Sequence, residues 1–487
     1  MPEYLRNEAN KTFTQNGASS YISSQSFCLD FFYLAGALRD ADEKRIILIF
    51  SRAFAEDPDI CLKILFFARD IRGGLGERRL FRICLRWLAE NYPSRIVKNL
   101  KYIGEFGRYD DILCLLDTPC RNSVTELISD TLKKDIKAVK EQSENISLLA
   151  KWLPSVNTSN AEAVKTARDI ARATGMSQAV YRKTLSGLRR YIDIIENRLR
   201  KTDYTFDYSK QTSRALFKYK KAFVRNDADR YRKFIADAAG GKAKINTGTL
   251  YPYDIIREAL SSDQTPEQRA YLDAAWNNLE SCEGNNNSIA VIDGSGSMYC
   301  SMNSPKPYEA ALSLGIYFAQ HTKGKFHDHF ITFSQNPRLI KITGSDISEK
   351  AQFAAGFNEV ANTNIEAVFD LILKTAVKYS LPQSELPDTV YIFSDMEFDR
   401  CVRNGSLTNF ENAKAGYKGY GYKLPGVVFW NVNSKTQQVP VRMHDSGAAL
   451  VSGSSPKIFD MVKKGELEPL KMMLDIICAE RYSVISA

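Results

Sequence analysis

The stretch 288–298, with the sequence SIAVIDGSGSM, constrains the fold of this chain more than any other. Residues 289–292 form a short apolar run, mostly β-branched, which is typical of a central strand in a parallel sheet covered on both faces. Asp293, Ser295 and Ser297 follow at the carboxyl end of this strand, where open α/β sheets bind their ligands. Their hard oxygen atoms predict a site for Mg²⁺, or for a similar ion such as Mn²⁺ or Ca²⁺.

Two later loops supply further oxygen side chains. Thr363 lies in a polar loop directly before a helical pattern over residues 365–372. Asp395 ends the apolar strand 389–394, which we expect to finish at the same sheet edge as Asp293. The order of the three loops along the chain therefore predicts that they converge on one ion.

The three loops resemble the metal-ion-dependent adhesion site of von Willebrand factor A domains. The resemblance implies that Ser295, Ser297 and Thr363 bind the ion, while Asp293 and Asp395 mainly hold coordinated waters. It also implies a sixth position, open for a carboxylate from a protein partner. The alternative is structural: Asp293 opens a tight turn and the serines cap the next helix.

Composition narrows the class of protein. The chain has 487 residues and no run of about 18 apolar residues, so we expect two or three globular domains and no membrane span. The N-terminus has neither the charged nor the apolar segment of an export signal. The nine cysteines are scattered and form no C-x-x-C pair, as in intracellular proteins with reduced thiols. These features predict a cytoplasmic protein.

Two domains are predicted, over residues 1–284 and 285–487. After a polar lead-in, 1–25, which we expect to be mobile or draped over the surface, helical patterns such as 27–38 and 43–54 follow one another in pairs. Such a succession predicts an α-solenoid with HEAT-like repeats. The second domain is predicted to be a doubly wound, Rossmann-like α/β domain of the von Willebrand factor A type.

The net charge of +9 is concentrated in the helical part, which favours a nucleic-acid partner. Between residues 182 and 233, basic residues alternate with aromatic ones, as single-strand recognition requires. Two more arginines are spaced by four residues on a helix that follows the glycine-rich turn 73–76. The alternative is that the aromatic residues belong to the core and the cations only solvate the surface. The predicted nucleic-acid contacts are Arg78, Arg82, Arg182, Lys183, Arg189, Arg190, Arg214, Lys218, Lys220, Lys221 and Arg225.

Several sequence blocks look like the signatures of an uncharacterised family with a domain of unknown function. The blocks are 67–78 (FARDIRGGLGER), 106–111 (FGRYDD), 151–154 (KWLP), 175–177 (GMS), 181–183 (YRK) and 251–253 (YPY). At greater distance, the order of helical repeats and A domain is similar to Ro (TROVE-module) proteins. That resemblance implies a ring of helical repeats that is closed by the A domain and binds RNA in a basic central hole.

Together these patterns predict a non-enzymatic RNA-binding component of a ribonucleoprotein, with single-stranded or structured RNA on the helical repeats and a Mg²⁺-dependent protein partner on the A domain. One alternative is a metal-dependent assembly adaptor that binds no nucleic acid. A metal-dependent phosphodiesterase or nuclease is the third possibility. Against it, the sequence has only four histidines and no recognisable catalytic motif.

Overall fold

The computed structural model describes residues 1–143, 145–280, 287–301, 305–357, 363–400, 407–462 and 467–487. We call residues 1–280 the helical half and residues 287–487 the sheet half. In the helical half, Ser26, Asp42 and Asp57 each begin a helix by accepting a hydrogen bond from a first-turn N–H. The helices are α1 Pro2–Ala9, α2 Phe27–Ala35, α3 Glu43–Glu56, α4 Pro58–Arg69, α5 Arg78–Asn91, α6 Pro93–Asn99, α7 Ile103–Phe106, α8 Arg121–Lys140, α9 Leu149–Trp152, α10 Ala161–Ala173, α11 Gln178–Tyr191, α12 Ile195–Arg200, α13 Ser213–Asn226, α14 Ala228–Ala239, α15 Pro252–Ala259 and α16 Pro266–Asn277.

Helices that are neighbours in sequence pack against each other. The contacts include α2 with α3, α3 with α4, α4 with α5, α10 with α11, α13 with α14, and α15 with α16. In α5, Leu80, Cys84 and Leu88 recur every four residues and are buried, as an amphipathic helix requires. The predicted helix pairs are therefore present, while a HEAT-type solenoid stays a prediction.

The sheet half contains a mixed six-stranded sheet. Its order is β5-β4-β3-β6-β7-β8, and β5 pairs with β4 antiparallel while the other neighbours are parallel. The chain leaves β3 toward β4 and β6 toward β7, in opposite directions, so the topological switch point lies between β3 and β6. The strands are β3 Ser288–Asp293, β4 His329–Phe333, β5 Leu339–Lys341, β6 Thr389–Ser394, β7 Gly426–Asn431 and β8 Ala448–Ser452.

Helices cover both faces of the sheet. On one face, the ring of Phe318 lies 4.3 Å from that of Tyr391, and the ring of Phe459 lies 4.6 Å from that of Trp430. On the other face, Phe410 of the helix Asn409–Gly419 packs on Phe429 of β7. This double cover explains the uniformly apolar strands. The helices of this half are α17 Pro307–His321, α18 Ile347–Ala355, α19 Ile365–Lys378, α20 Asn409–Gly419, α21 Ile458–Val462 and α22 Pro469–Ile477.

The two halves meet where α2 packs against β8. Gly36, directly after α2, donates its N–H to Ser452 Oγ at 3.0 Å. A Cβ atom on Gly36 would lie 2.6 Å from the backbone of Gly453, closer than real Cβ contacts come. The absence of a side chain at this position therefore permits the close approach of the two halves.

Both ends of the described chain cross to the opposite half. Strands β1 Lys11–Phe13 and β2 Ser19–Tyr21 form an antiparallel hairpin, and Tyr21 exchanges two backbone hydrogen bonds with Val439. At the other end, Arg481 forms an ion pair with Asp70 at 2.5 Å. Of the two expectations for residues 1–25, the mobile lead-in is therefore wrong, whereas a segment draped over the surface agrees with the pairing of Tyr21 and Val439. The predicted domain boundary at residue 284 lies outside the described residues and stays a prediction.

The end of the helical half returns to its beginning. Tyr251 donates its hydroxyl hydrogen to Leu75 O at 3.3 Å, in the turn between α4 and α5. The guanidinium of Arg39 lies 5.8 Å from the ring centroid of Tyr253. These contacts join the start of α15 to the segment after α2 and to the turn between α4 and α5, while closure of the helices into a ring stays a prediction.

The described cysteines are free thiols. No helix in the described ranges combines the length and the apolar character needed to cross a bilayer. The cytoplasmic location itself stays a prediction.

Candidate functional site

The ends of β3 and β6 bring two carboxylates together at the switch point. Asp293 is completely buried, and its Oδ1 accepts a hydrogen bond from the Ser295 N–H at 2.8 Å. Its Oδ2 accepts one from the Ser394 hydroxyl at 2.5 Å. Burial, followed by the negative charge of Asp395, raises the pKa of Asp293 to about 7. We call Asp293, Ser295, Ser297, Thr363 and Asp395 the carboxyl edge.

The predicted serine ligands lie beside Asp293. Ser297 belongs to a short 3₁₀ turn, Gly296–Tyr299, and its hydroxyl lies 3.1 Å from that of Ser295. Ser295 itself is buried. The tight turn thus places two hydroxyl oxygens next to a buried carboxylate, which is a suitable start for a hard-ion site.

Asp395 gives the clearest indication that the carboxyl edge fits a cation. Its Oδ2 atom is buried and has no hydrogen-bond partner among the described residues. The ammonium Nζ of Lys435 lies 3.5 Å from this atom. A buried carboxylate oxygen without a hydrogen bond is unfavourable, and a second buried carboxylate nearby adds repulsion. The residues present therefore fit a divalent cation.

Hydroxyl groups would have to complete such a site. The described residues contain no group of three or more His, Cys, Asp or Glu side chains arranged for a metal ion. An ion at the carboxyl edge would consequently depend on Ser295, Ser297 and Thr363 in addition to the two aspartates. Oxygen donors of this kind suit Mg²⁺ and Mn²⁺ better than Zn²⁺.

The hydroxyl of Thr363 is hydrogen-bonded to the loop that follows β6. This hydroxyl donates to Glu397 O at 2.7 Å, with Asp399 Oδ1 at 3.3 Å, and accepts from Asn16 Nδ2 at 3.0 Å. Between Asp395 and Glu397, Met396 has a left-handed φ of 64°, which is unusual for a residue with a side chain. Because of this turn, Asp395 and the carbonyl of Glu397, which accepts from Thr363, both lie at the carboxyl edge.

Sequence analysis missed Ser394, Glu397, Asn16 and Lys435. Ser394 was detectable, because it directly precedes Asp395 at the strand end. Glu397 is buried and accepts from the Gln15 N–H at 2.8 Å and from Thr436 and Gln438. Partners this far apart in sequence leave no local pattern.

The basic residues of α13 lie on one face of the helix. Arg214, Lys218, Lys221 and Arg225 are exposed, whereas Leu216, Phe217 and Phe223 are buried. Their spacing of four, three and four residues aligns them along the axis. Arg214 also pairs with Asp254 at 2.9 Å. We call these four cations the basic stripe.

Helix α11 carries further exposed cations and one that is structural. Arg182, Lys183 and Arg190 are exposed. Arg189 instead donates to Ala150 O at 2.8 Å, to Leu153 O at 2.6 Å and to the hydroxyl of Ser155 at 2.7 Å. Its guanidinium thus holds the segment 150–155, so the structure corrects its predicted role as a nucleic-acid contact.

Lys220 also has to be removed from the predicted nucleic-acid contacts. It is only 5% exposed and lies 2.7 Å from Glu258 Oε2. Burial lowers the pKa of Lys220 although Glu258 opposes the effect. Most aromatic residues of the predicted belt are likewise buried in the core; these are Phe206, Tyr208, Phe217, Phe223 and Tyr231.

Arg78 and Arg82 are engaged by two aspartates. Arg78 lies 2.7 Å from Asp110 Oδ2, and Arg82 lies 2.7 Å from Asp111 Oδ1. Asp111 also pairs with Arg69 at 2.8 Å, and both partners are buried. The three arginines can therefore lie close together because the acidic groups between them cancel their repulsion.

The fold and the site define a two-part protein, in which a helical array packs against an open sheet with a buried pair of carboxylates at its switch point. Two family models match the chain: "Domain of unknown function (DUF2828)" over residues 14–116 and 158–285, and "Domain of unknown function (DUF7788)" over residues 287–472. "Uncharacterized protein L728" of Acanthamoeba polyphaga mimivirus is 31% identical over 509 residues, which cover 96% of this chain and 87% of that protein. The chain belongs to the family of this viral protein.

Two solved structures show more distant similarity. A crystal structure of the Ro (RSR) protein of Deinococcus radiodurans covers 94% of this chain and 100% of its own, at 14% identity and a TM-score of 0.49. Proximal thread matrix protein 1 from the mussel byssus covers 41% of this chain and 49% of its own, at 12% identity and a TM-score of 0.26. The architecture described above rests on the helices and strands of this chain alone.

Proposed function

We propose that the chain is a non-enzymatic protein that binds single-stranded RNA on its helical half and a protein partner, through a divalent ion, on its sheet half. The observation that carries the RNA part is the basic stripe. Four cations in line on one helix face repel each other unless an anionic partner neutralises them. A flexible polyanion follows such a line without needing a groove.

The dimensions of the basic stripe suit several phosphates. From Arg214 to Arg225 the helix rises by about 16 Å, at about 1.5 Å per residue. Only Arg214 among the four pairs with a carboxylate in the described part of the chain, at 2.9 Å from Asp254. Lys218, Lys221 and Arg225 are thus available to phosphates, and Arg182, Lys183 and Arg190 on α11 extend the positive surface.

The ion-dependent part of the proposal rests on the buried Oδ2 atom of Asp395, which has no hydrogen-bond partner among the described residues and only the ammonium of Lys435 nearby, at 3.5 Å. In an A-domain arrangement, Ser295, Ser297 and Thr363 would hold Mg²⁺ directly, and Asp293 and Asp395 would orient its waters. A bound ion would supply a coordination position for a carboxylate of the partner. A role in binding is favoured over hydrolysis because the four histidines of the chain have partners outside the carboxyl edge. These contacts are His321 with Tyr317 O, His327 with Asp328, His329 with His327 O, and His444 with Glu468.

The test measures the affinity of the full chain for a fluorescent single-stranded RNA by anisotropy over a series of salt concentrations. The logarithm of affinity should fall linearly with the logarithm of salt concentration, by about 0.7 per neutralised phosphate. The double variant Lys218→Glu/Lys221→Glu should weaken binding and flatten this slope.

A matched control is available on α8. Lys133 and Lys137 are exposed and pair with Asp130 and with Glu141, so Lys133→Glu/Lys137→Glu makes the same change in net charge elsewhere. An equal loss of RNA affinity in both double variants would mean that only the net charge of the protein matters, and it would contradict the basic stripe as the RNA surface. If the wild-type chain shows no RNA binding at low salt, the RNA function is refuted and the assembly adaptor replaces it.

A further inference from the structure

Two groups from outside the predicted ligand set contact the carboxyl edge. Asn16 lies in the turn between β1 and β2, and its amide Nδ2 donates to Thr363 Oγ1 at 3.0 Å and to Glu397 O at 2.6 Å. The neighbouring Gln15 N–H donates to Glu397 Oε2 at 2.8 Å. The hairpin is thus attached to the loop after β6 at the same point where Thr363 would meet an ion.

The second group is the ammonium of Lys435, at 3.5 Å from the otherwise unpaired Asp395 Oδ2. Lys435 belongs to a loop that α3 holds in place. Arg45 Nη1 donates to Ser434 O and Lys435 O, both at 2.9 Å, and Arg45 Nη2 donates to Thr436 O at 2.5 Å. Arg45 of the helical half therefore holds the backbone of Lys435, whose ammonium lies beside Asp395.

We propose that Asn16 and Lys435 are internal competitors of the divalent ion, and that through them occupancy of the ion site is coupled to the helical half. The inference rests on the proposed ion site. The Thr363 hydroxyl already donates its hydrogen to Glu397 O, so Asn16 points an N–H at an oxygen lone pair that an ion would need. Lys435 places a positive charge beside Asp395, where it partly replaces the ion and repels it.

The coupling acts in both directions. An ion bound to Thr363, with its waters held by Asp395, would weaken the contacts of Asn16 and Lys435, and so loosen the hairpin and the loop 434–436. A ligand of the helical half that tightens these segments should in turn lower the affinity for the ion. By thermodynamic linkage, it lowers ion affinity by the same factor by which the ion lowers the affinity for that ligand. The ion site would then report the state of the helical half to the partner of the sheet half.

The first experiment measures Mn²⁺ affinity of the full chain by calorimetry at neutral pH. Lys435→Met removes the competing charge and should tighten Mn²⁺ binding by about tenfold, since a like charge a few ångströms away costs at least that much. Asn16→Ala removes one competing hydrogen bond and should tighten it by about fivefold. The control is Lys374→Met. Lys374 pairs with Asp370 on α19, so this variant also loses one positive charge, but away from the carboxyl edge. Its Mn²⁺ affinity should stay within about twofold of wild type, because salt screens the distant charge.

The second experiment uses the wild-type chain, so that it does not depend on how well a variant folds. Amide hydrogen exchange of the Gln15 and Ala18 N–H groups should accelerate severalfold when Mn²⁺ is added. The inference is overturned if Mn²⁺ binds but exchange of the hairpin stays unchanged, or if folded Lys435→Met and Asn16→Ala bind Mn²⁺ no more tightly than wild type. Absence of Mn²⁺ binding in wild type and in every variant refutes the ion site, and the inference with it.

Discussion

The carboxyl edge and the basic surface of the helical half differ in what determines the roles of their charged residues. At the edge, Asp293, Ser295, Ser297 and Asp395 lie at or directly after the ends of β3 and β6, and Thr363, in the loop before α19, donates to Glu397 O in the loop after β6. On the helical half, Lys220 and Arg189 serve the protein's own structure, and Arg78 and Arg82 face aspartates. The backbone topology decides where strand ends meet, whereas the role of a cation depends on which acid the fold places beside it.

The two regions also differ in charge balance. At the edge, two buried carboxylates lie together, and the Nζ atom of Lys435 lies 3.5 Å from Asp395 Oδ2. In the helical half, Asp110 and Asp111 lie among four arginines, Arg69, Arg78, Arg82 and Arg108, and we call these six residues the arginine cluster. Burial raises the pKa of Asp110, but the hydrogen bond and the positive charge of Arg108 outweigh burial, so this pKa lies below its usual value. We therefore expect the cluster to stabilise the fold and the edge to weaken it when no ion is bound. The following predictions test this contrast.

The largest effect is expected at the arginine cluster. Asp111→Ala leaves the buried guanidinium of Arg69 without its partner, and removal of one member of a buried pair costs about 3–5 kcal/mol. Urea denaturation should show the loss as a lower midpoint. The control Asp130→Ala breaks an exposed pair with Lys133 and should change stability by less than about 1 kcal/mol. Equal effects would contradict a structural role for the cluster.

A somewhat smaller effect, dependent on pH, is expected at the carboxyl edge. The pKa of Asp293 is about 7 in the folded protein against an ordinary value of 3.8, so the folded state holds a proton that the unfolded chain releases. This stabilisation is present below about pH 4 and is lost as pH rises through about 7, amounting to at most about 4 kcal/mol.

The comparison of wild type with Asp293→Asn isolates that contribution. In the presence of a chelator, the stability of wild type relative to the variant should fall between about pH 4 and pH 7, because asparagine does not titrate. Other titrating groups contribute to both proteins and cancel. Parallel curves of stability against pH for the two proteins would show that Asp293 ionises normally, and the contrast between the two regions would then disappear.

The smallest effect is expected from two adjacent lysines of α13. Lys221 is exposed and Lys220 is buried against Glu258. Lys221→Met should lower the salt dependence of RNA affinity by about 0.7, the contribution of one phosphate, whereas Lys220→Met should leave it unchanged. Both variants replace a lysine by methionine and remove one positive charge, so they differ only in the position of that lysine on the helix. A reversed order of the two effects would exclude the basic stripe as the RNA surface.

Local patterns sufficed for much of the fold. The apolar run 289–292 and its polar loop predicted a central strand with a ligand site at its carboxyl end, and the structure contains that strand as β3. The helical pairs were equally predictable, because an amphipathic period of about 3.6 residues is visible in any short window. Exact bounds were less accurate: the helical pattern over residues 27–38 predicts a helix up to Leu38, whereas α2 already ends at Ala35.

Sequence by itself determined the elements, their order and the oxygen atoms of the carboxyl edge, since each depends on residues that are neighbours in the chain. Only the tertiary structure decided which groups face those oxygens. Asn16 is 347 residues away from Thr363, and Arg45 is 390 residues away from the carbonyl of Lys435. Such contacts form because the packing of α2 on β8 and the pairing of the hairpin with the sheet half bring distant segments together, and no local periodicity encodes them.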